Sequence, residues 1–223
     1  MNHSSRRSTG SPDIDEMLGG GLEVKILTQF YGEAASGKST VCLMCAVESL
    51  KEGKSVIFID TEGFSIERFR QIAGEETETL AERIFLFEPE DFSQQGYMMG
   101  QAESLLKSGN VGLFIVDSVT GLYRPEVGAG GDAQRRLGRQ LLHLLGYAKR
   151  YDIPVILTNQ VYLNIERNEL AGLGGTTLRH LSKVIIRFEK LNERRRAVLE
   201  KHRSEPENRF FEFIIVEKGI KKI

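Results

Sequence analysis

Nine residues carry the clearest chemistry in this chain: Gly32, Glu33, Ala34, Ala35, Ser36, Gly37, Lys38, Ser39 and Thr40. Two glycines with four residues between them let successive backbone N–H groups turn inward around an anion, and the Lys-Ser pair that follows adds a cation and a hydroxyl. That set suits a polyphosphate. Lys38 is placed to reach β- and γ-phosphates and Ser39 to ligate Mg²⁺. An apolar run precedes the segment and a helical pattern follows it, so the helix N-terminus adds its positive end. The expected occupant is ATP with Mg²⁺.

Three further apolar runs end in polar residues. Asp117 closes Leu113-Phe114-Ile115-Val116, where an acid can hold the water shell of the metal; an Asp there also suits a loop start or a cap. Asp60 and Glu62 follow Val56–Ile59. Glu62 is the candidate to take a proton from water attacking the γ-phosphate, and Asp60 can support the turn; both also suit helix capping or a solvated loop. Gln160 follows Thr158 and Asn159, where its amide can bond a γ-phosphate and lose that partner after hydrolysis.

For these groups to meet, the runs must be strands of one parallel sheet with their carboxyl ends on one edge. The pattern predicts that arrangement. Apolar runs at Val24–Tyr31, Ser55–Asp60, Arg83–Phe87, Val111–Asp117 and Ile153–Thr158 alternate with helical patterns at Lys38–Lys51, Ser65–Ala73, Phe92–Lys107 and Ala133–Tyr151. Ahead of them, Ser11-Pro12-Asp13 reads as a helix start and Gly19-Gly20-Gly21 as its end. The last fifty or so residues read as strands Lys183–Glu189, Ala197–Lys201 and Phe210–Glu217 joined by short polar turns, an antiparallel extension of the sheet. The expected fold is α/β, a mostly parallel sheet flanked by helices. Residues 1–7 are expected as a flexible tail and 8–223 as one domain.

Composition narrows the function classes. With 30 Lys and Arg against 31 Asp and Glu, no overall field draws nucleic acid, so any such contact needs a local patch. Cys42 and Cys45 have the spacing of half a metal site, but no second pair completes it. Three apart on a helix, they share a face and read as core residues. No stretch has the length of a signal peptide or a membrane span, and the expected location is cytoplasmic.

Together the motifs resemble the ATPase core of the RecA-type recombinases, most closely the archaeal and eukaryotic branch. The matching segments are Gly32–Thr40, Ile59–Phe69, Val116–Arg124, Leu137–Arg139, Thr158–Val161, Gly174-Gly175, His180–Ser182 and Phe213–Ile220, spread over about residues 8–220. The resemblance implies a RecA-like P-loop core in which Glu62 activates water and Gln160 couples the γ-phosphate to DNA-binding loops. It implies that Arg68 packs near adenine and that His180 approaches a neighbouring subunit's nucleotide. Two DNA loops then fall at about 124–132 and 161–174, with Arg124, Arg135, Arg136, Arg139, Tyr162 and Arg167 as candidate contacts. The helix arginines equally suit a solvated face, and Arg194–Arg196 with Lys201–Arg203 equally suit a charged hairpin.

The departures shape the expected role. Recombinases of this branch carry an N-terminal helical domain and a linker motif that docks on the next subunit, whereas this chain begins almost at the core. Lys221 and Lys222 also stand where the branch has an acid after the closing Gly-Ile. The expectation is a weak, Mg-dependent ATPase accessory to recombination and repair that does not exchange strands alone. Its expected partners are single-stranded or branched DNA, the main recombinase, other recombination proteins and a second copy in a homodimer. The alternative from another class is a nucleotide-gated interaction ATPase that does not act on DNA.

Overall fold

The computed structural model describes residues 5–126, 132–164, 169–172 and 174–223. Strand β1 (Arg6–Arg7) pairs antiparallel with β2 (Leu22–Glu23), with helix α1 (Pro12–Met17) between them. The tail expected over residues 1–7 is therefore held at its end. The Arg6 guanidinium donates to the Leu18 and Gly21 carbonyls at 2.5 and 3.2 Å, and Ser8 and Thr9 donate to Asp15. Local polarity did not foretell this, because the partners are carbonyls freed at the end of α1. Ser11 caps α1 as expected, its side chain accepting from the Ile14 N–H.

The central part alternates strand and helix. It runs β3 (Leu27–Gly32), α2 (Lys38–Lys51), β4 (Ser55–Asp60), α3 (Ile66–Ala73), α4 (Thr77–Ala81) and β5 (Ile84–Phe87). Next come α5 (Phe92–Gln101), α6 (Glu103–Leu106), β6 (Val111–Asp117), α7 (Asp132–Arg150) and β7 (Val155–Asn164). The chain ends with β8 (Glu169–Gly172), α8 (Gly175–Leu181), β9 (Ser182–Leu191), β10 (Arg194–Lys201), β11 (Phe210–Val216) and β12 (Gly219–Lys222).

These strands order as β12-β11-β10-β9-β3-β7-β6-β4-β5, with β8 hydrogen-bonded to β7. From β9 to β5 every pairing is parallel, and from β9 to β12 every pairing is antiparallel. This is the expected fold class. The strand expected over Val24–Tyr31 begins only at Leu27, because Lys25 takes a left-handed φ of 69° between β2 and β3. The strand expected to stop at Thr158 runs on to Asn164, where antiparallel pairing with β8 supplies hydrogen-bond partners beyond the end of β3.

Alternation along the strands divides the core into two layers. Val56, Phe58, Leu113 and Ile115 pack with α1, α2, α3 and the C-terminal strands, while Ile57, Ile59, Phe114 and Val116 pack with α5, α7 and α8. Both faces are thus covered, which is why these strands are nearly continuous Val, Ile, Leu and Phe. Cys42 and Cys45 are free and buried in the first layer, as expected, and burial pushes both thiols above their usual range.

Candidate nucleotide site

Parallel pairing brings the polar strand ends together. Gly32 lies in register with Gln160, and Asp60 with Asp117, so the ends of β3, β7, β4 and β6 open on the same edge of the sheet. The loop after β3 depends on its two glycines. Gly32 holds φ at 153°, and a Cβ there would lie 2.0 Å from the Phe188 carbonyl oxygen on β9. Gly37 is left-handed, with φ at 103°, and precedes α2 with no side chain capping the helix. The first N–H groups of α2 are therefore free to meet an anion.

Lys38 bends back over the loop, its Nζ donating to the Gly32 and Glu33 carbonyls at 3.1 and 2.8 Å. Burial lowers its pKa, and the charges of Asp117 and Glu62 oppose that shift. Among the described residues the buried Ser36 hydroxyl has no hydrogen-bond partner. A curled loop with an uncapped helix, a buried lysine and an orphaned hydroxyl fits a phosphate chain.

Asp117 is buried, and its Oδ1 accepts from the Thr158 hydroxyl. Asp60 accepts from the Gly63 N–H at 2.7 Å, and burial together with the neighbouring Asp117 pushes its carboxyl up to about 6. It supports the turn carrying Glu62, as the turn reading of Asp60 anticipated. Across the sheet the Gln160 amide donates to Glu62 Oε1 at 2.8 Å. The preceding residue, Asn159, is buried and accepts from Gln29 through its Oδ1 at 2.9 Å.

Ala34, Ala35, Gly37, Lys38, Ser39, Thr40, Glu62 and Gln160 line one hollow of about 230 Å³ with Arg195 and Ile215. Ser39, Thr40 and Glu62 also border a second, about 400 Å³, reaching Asp60, Asp117 and Arg68. Larger hollows lie elsewhere, one of about 730 Å³ beside α3, α4 and β5. A phosphate site is defined by its donors rather than its volume, and the donors gather at the loop.

Arg68 lines the second hollow, and its guanidinium donates to the Val216, Glu217 and Gly219 carbonyls at 2.7 to 2.9 Å and to Gln71 at 2.7 Å. It thereby fastens α3 to the turn between β11 and β12. Arg195 and Ile215 belong to the hollow although they were not expected there. The alternation of β10 could have separated Arg195 from its neighbours, but its contact with the loop is a tertiary fact.

The remaining candidates are scattered. Arg124 is exposed in a short turn, and Arg135 and Arg139 are exposed on α7. Arg136 departs from the expectation of a surface contact. It pairs with Glu126 at 2.6 Å, donates to the Ser93 hydroxyl at 2.8 Å and covers the Phe92 ring at 4.9 Å, so this half-buried cation already has partners within the chain. Tyr162 lies in β7 with its side chain outside the described region, and Arg167 falls outside the described residues. His180 is exposed beside Leu142 and Thr177. No helix among the described residues is long and apolar enough to cross a membrane.

A family model described as Rad51 matches residues 4–223. The chain belongs to the Rad51 family. Among proteins similar to this Rad51-family chain, the DNA repair and recombination protein RadB of Methanoculleus marisnigri is 58% identical over 222 residues, covering 99% of each chain. The RadB protein of Archaeoglobus fulgidus is 44% identical over 215 residues, covering 95% of this chain and 96% of its own. A solved structure described as a crystal structure of the RadB recombinase superposes with a TM-score of 0.82 at 40% identity, over 97% of this chain and 99% of that one. The fold of this Rad51-family chain is RecA-like.

Proposed function

We propose that this chain is an ATP-dependent accessory protein of homologous recombination and DNA repair, with residues 8–223 as a single ATPase core and a cytoplasmic location. The contact between Glu62 and Gln160 at 2.8 Å, on the rim of the hollow that holds Lys38 and Ser39, carries this reading. A loop built only to bind phosphate has no need of a carboxylate and an amide poised together at its mouth.

The residues divide the work. The N–H groups of the loop and Lys38 would hold the β- and γ-phosphates, and Ser39 and Asp117 would hold Mg²⁺, which when bound neutralises charge on the phosphate oxygens. Glu62 takes a proton from water. Gln160 holds Glu62 in place, and its amide is the group a terminal phosphate competes for. Because Gln160 sits on the strand leading to residues 161–174, that competition reaches the second DNA-facing segment. Exposed Arg124, Arg135 and Arg139, with Tyr162 and Arg167, supply the contact to single-stranded or branched DNA. The main recombinase, other recombination proteins and a second copy are the protein partners.

ATP turnover with and without single-stranded DNA tests the proposal. Expected are slow turnover, little stimulation by DNA and no strand exchange by the chain alone. Vigorous DNA-stimulated turnover would show a self-sufficient recombinase instead.

A further inference from the structure

Strand β10 separates the run Arg194-Arg195-Arg196 onto two faces, because successive side chains of a strand point oppositely. Arg194 and Arg196 both reach Glu212 on β11, at 3.7 and 2.6 Å. Arg196 also pairs with Glu189 at 3.6 Å and lies 5.0 Å from the centre of the Phe210 ring. Arg195 faces the other way. Its Nε donates to the Ala35 carbonyl of the glycine-rich loop at 3.4 Å, and its Nη1 to the Glu193 carbonyl at 2.6 Å. Among the described residues no carboxylate pairs with it.

The same hollow therefore receives Lys38, the uncapped start of α2 and the Arg195 guanidinium, and among the described residues lining it Glu62 is the one carboxylate. Such a concentration of positive charge is unfavourable unless an anion relieves it. The contact to Ala35 is longer than an ordinary N–H···O bond, so little is lost when the guanidinium turns to another acceptor. A planar fork with several N–H donors matches two phosphate oxygens at once.

We propose that Arg195 binds the phosphate chain of ATP held by its own subunit, so that β10 and Ile215 of β11 form a wall of the nucleotide site in cis. This rests on Gly32–Thr40 being the phosphate site. It assigns to one subunit a cation that recognises the polyphosphate, and it predicts that β10 contributes to telling ATP from AMP.

The test is competition of ATP and of AMP, each with Mg²⁺, against a fluorescent ATP analogue, for the wild type and for Lys38→Ala, Arg195→Ala, Arg195→Lys and Arg194→Ala. Arg195→Ala is expected to weaken ATP about tenfold, the worth of one charge-assisted hydrogen bond, and AMP less than about twofold. Arg195→Lys is expected to recover part of the loss, since it keeps the charge without the fork. Arg194→Ala, ion-paired on the far face, is expected to match the wild type. Unchanged ATP affinity in Arg195→Ala, or equal losses for ATP and AMP, overturns the role of Arg195. A wild type that ignores ATP, or Lys38→Ala with full affinity, overturns the phosphate-loop reading instead. Should Arg195→Ala melt early, the comparison of Arg195→Lys with Arg195→Gln decides by the same criterion.

Discussion

Lys38 and Glu62 line one hollow with different proposed roles, and substitutions should separate them. Lys38 is buried and anchored to two loop carbonyls, so Lys38→Ala removes the positive charge nearest the phosphates as well as two hydrogen bonds that shape the loop. Isothermal titration should find ATP binding weakened at least about 100-fold, the scale of losing a charge-assisted contact in a partly buried site. Glu62 is exposed and touches Gln160, so Glu62→Gln keeps a similar shape while removing the base. Single-turnover assays should show hydrolysis slowed roughly 100-fold or more with ATP affinity little changed. If hydrolysis persisted at the wild-type rate, Glu62 would be no more than a loop residue.

Between elements, the C-terminal strands act as part of the site rather than as an appendage. Arg68 joins α3 to the turn between β11 and β12 through three carbonyls, and Ile215 of that hairpin lines the loop hollow. Arg68→Ala is expected to cost about 2 kcal/mol and to raise amide hydrogen exchange at residues 216–223 while leaving the central strands protected. Exchange rising equally everywhere would contradict a local clasp.

The loop between β10 and β11 carries a titrating group. His202 Nδ1 accepts from the Ser204 and Glu205 N–H groups at 3.1 and 3.0 Å, and burial, with Arg6 nearby, lowers its pKa below 6.5. The folded state therefore keeps the ring neutral while the unfolded chain protonates. Stability from this group is present above the unfolded pKa and falls as pH drops through and below about 6.5. Thermal melts from pH 7.5 to 5 should lose less in His202→Asn than in the wild type, since Asn can accept the same bonds without titrating.

At the scale of the whole molecule, charge decides how DNA is met. Lys and Arg total 30 against 31 acids, and Arg136 is engaged with Glu126, so the proposed binding rests on a local group of arginines rather than on an overall positive field. Four arginines, Arg124, Arg135, Arg139 and Arg167, on single-stranded DNA give a log–log salt slope of about −3, or roughly a 50-fold loss of affinity for a fourfold rise in salt. Fluorescence anisotropy across that range checks it. A flat response would remove Arg124, Arg135, Arg139 and Arg167 from the proposed interface.

The placement of the glycine-rich loop after β3, the acid ending β6, the carboxylate after β4 and the amide on β7 was legible in the residues alone. Glycine spacing, helix starts and apolar runs ending in polar groups are local, and local order is what a linear pattern encodes. Parallel order also followed from the alternation of strand and helix, and with it the gathering of strand ends on one edge. What only tertiary structure decided were contacts between distant elements: Arg6 on the end of α1, Arg136 on Glu126, Arg68 on the last hairpin turn. The Gly32–Thr40 loop began as a self-contained motif and proves to be walled by Arg195 and Ile215, more than 150 residues further along. Composition could report the arginine run but not which face of β10 each member takes, because that depends on strand register and on what packs beneath it.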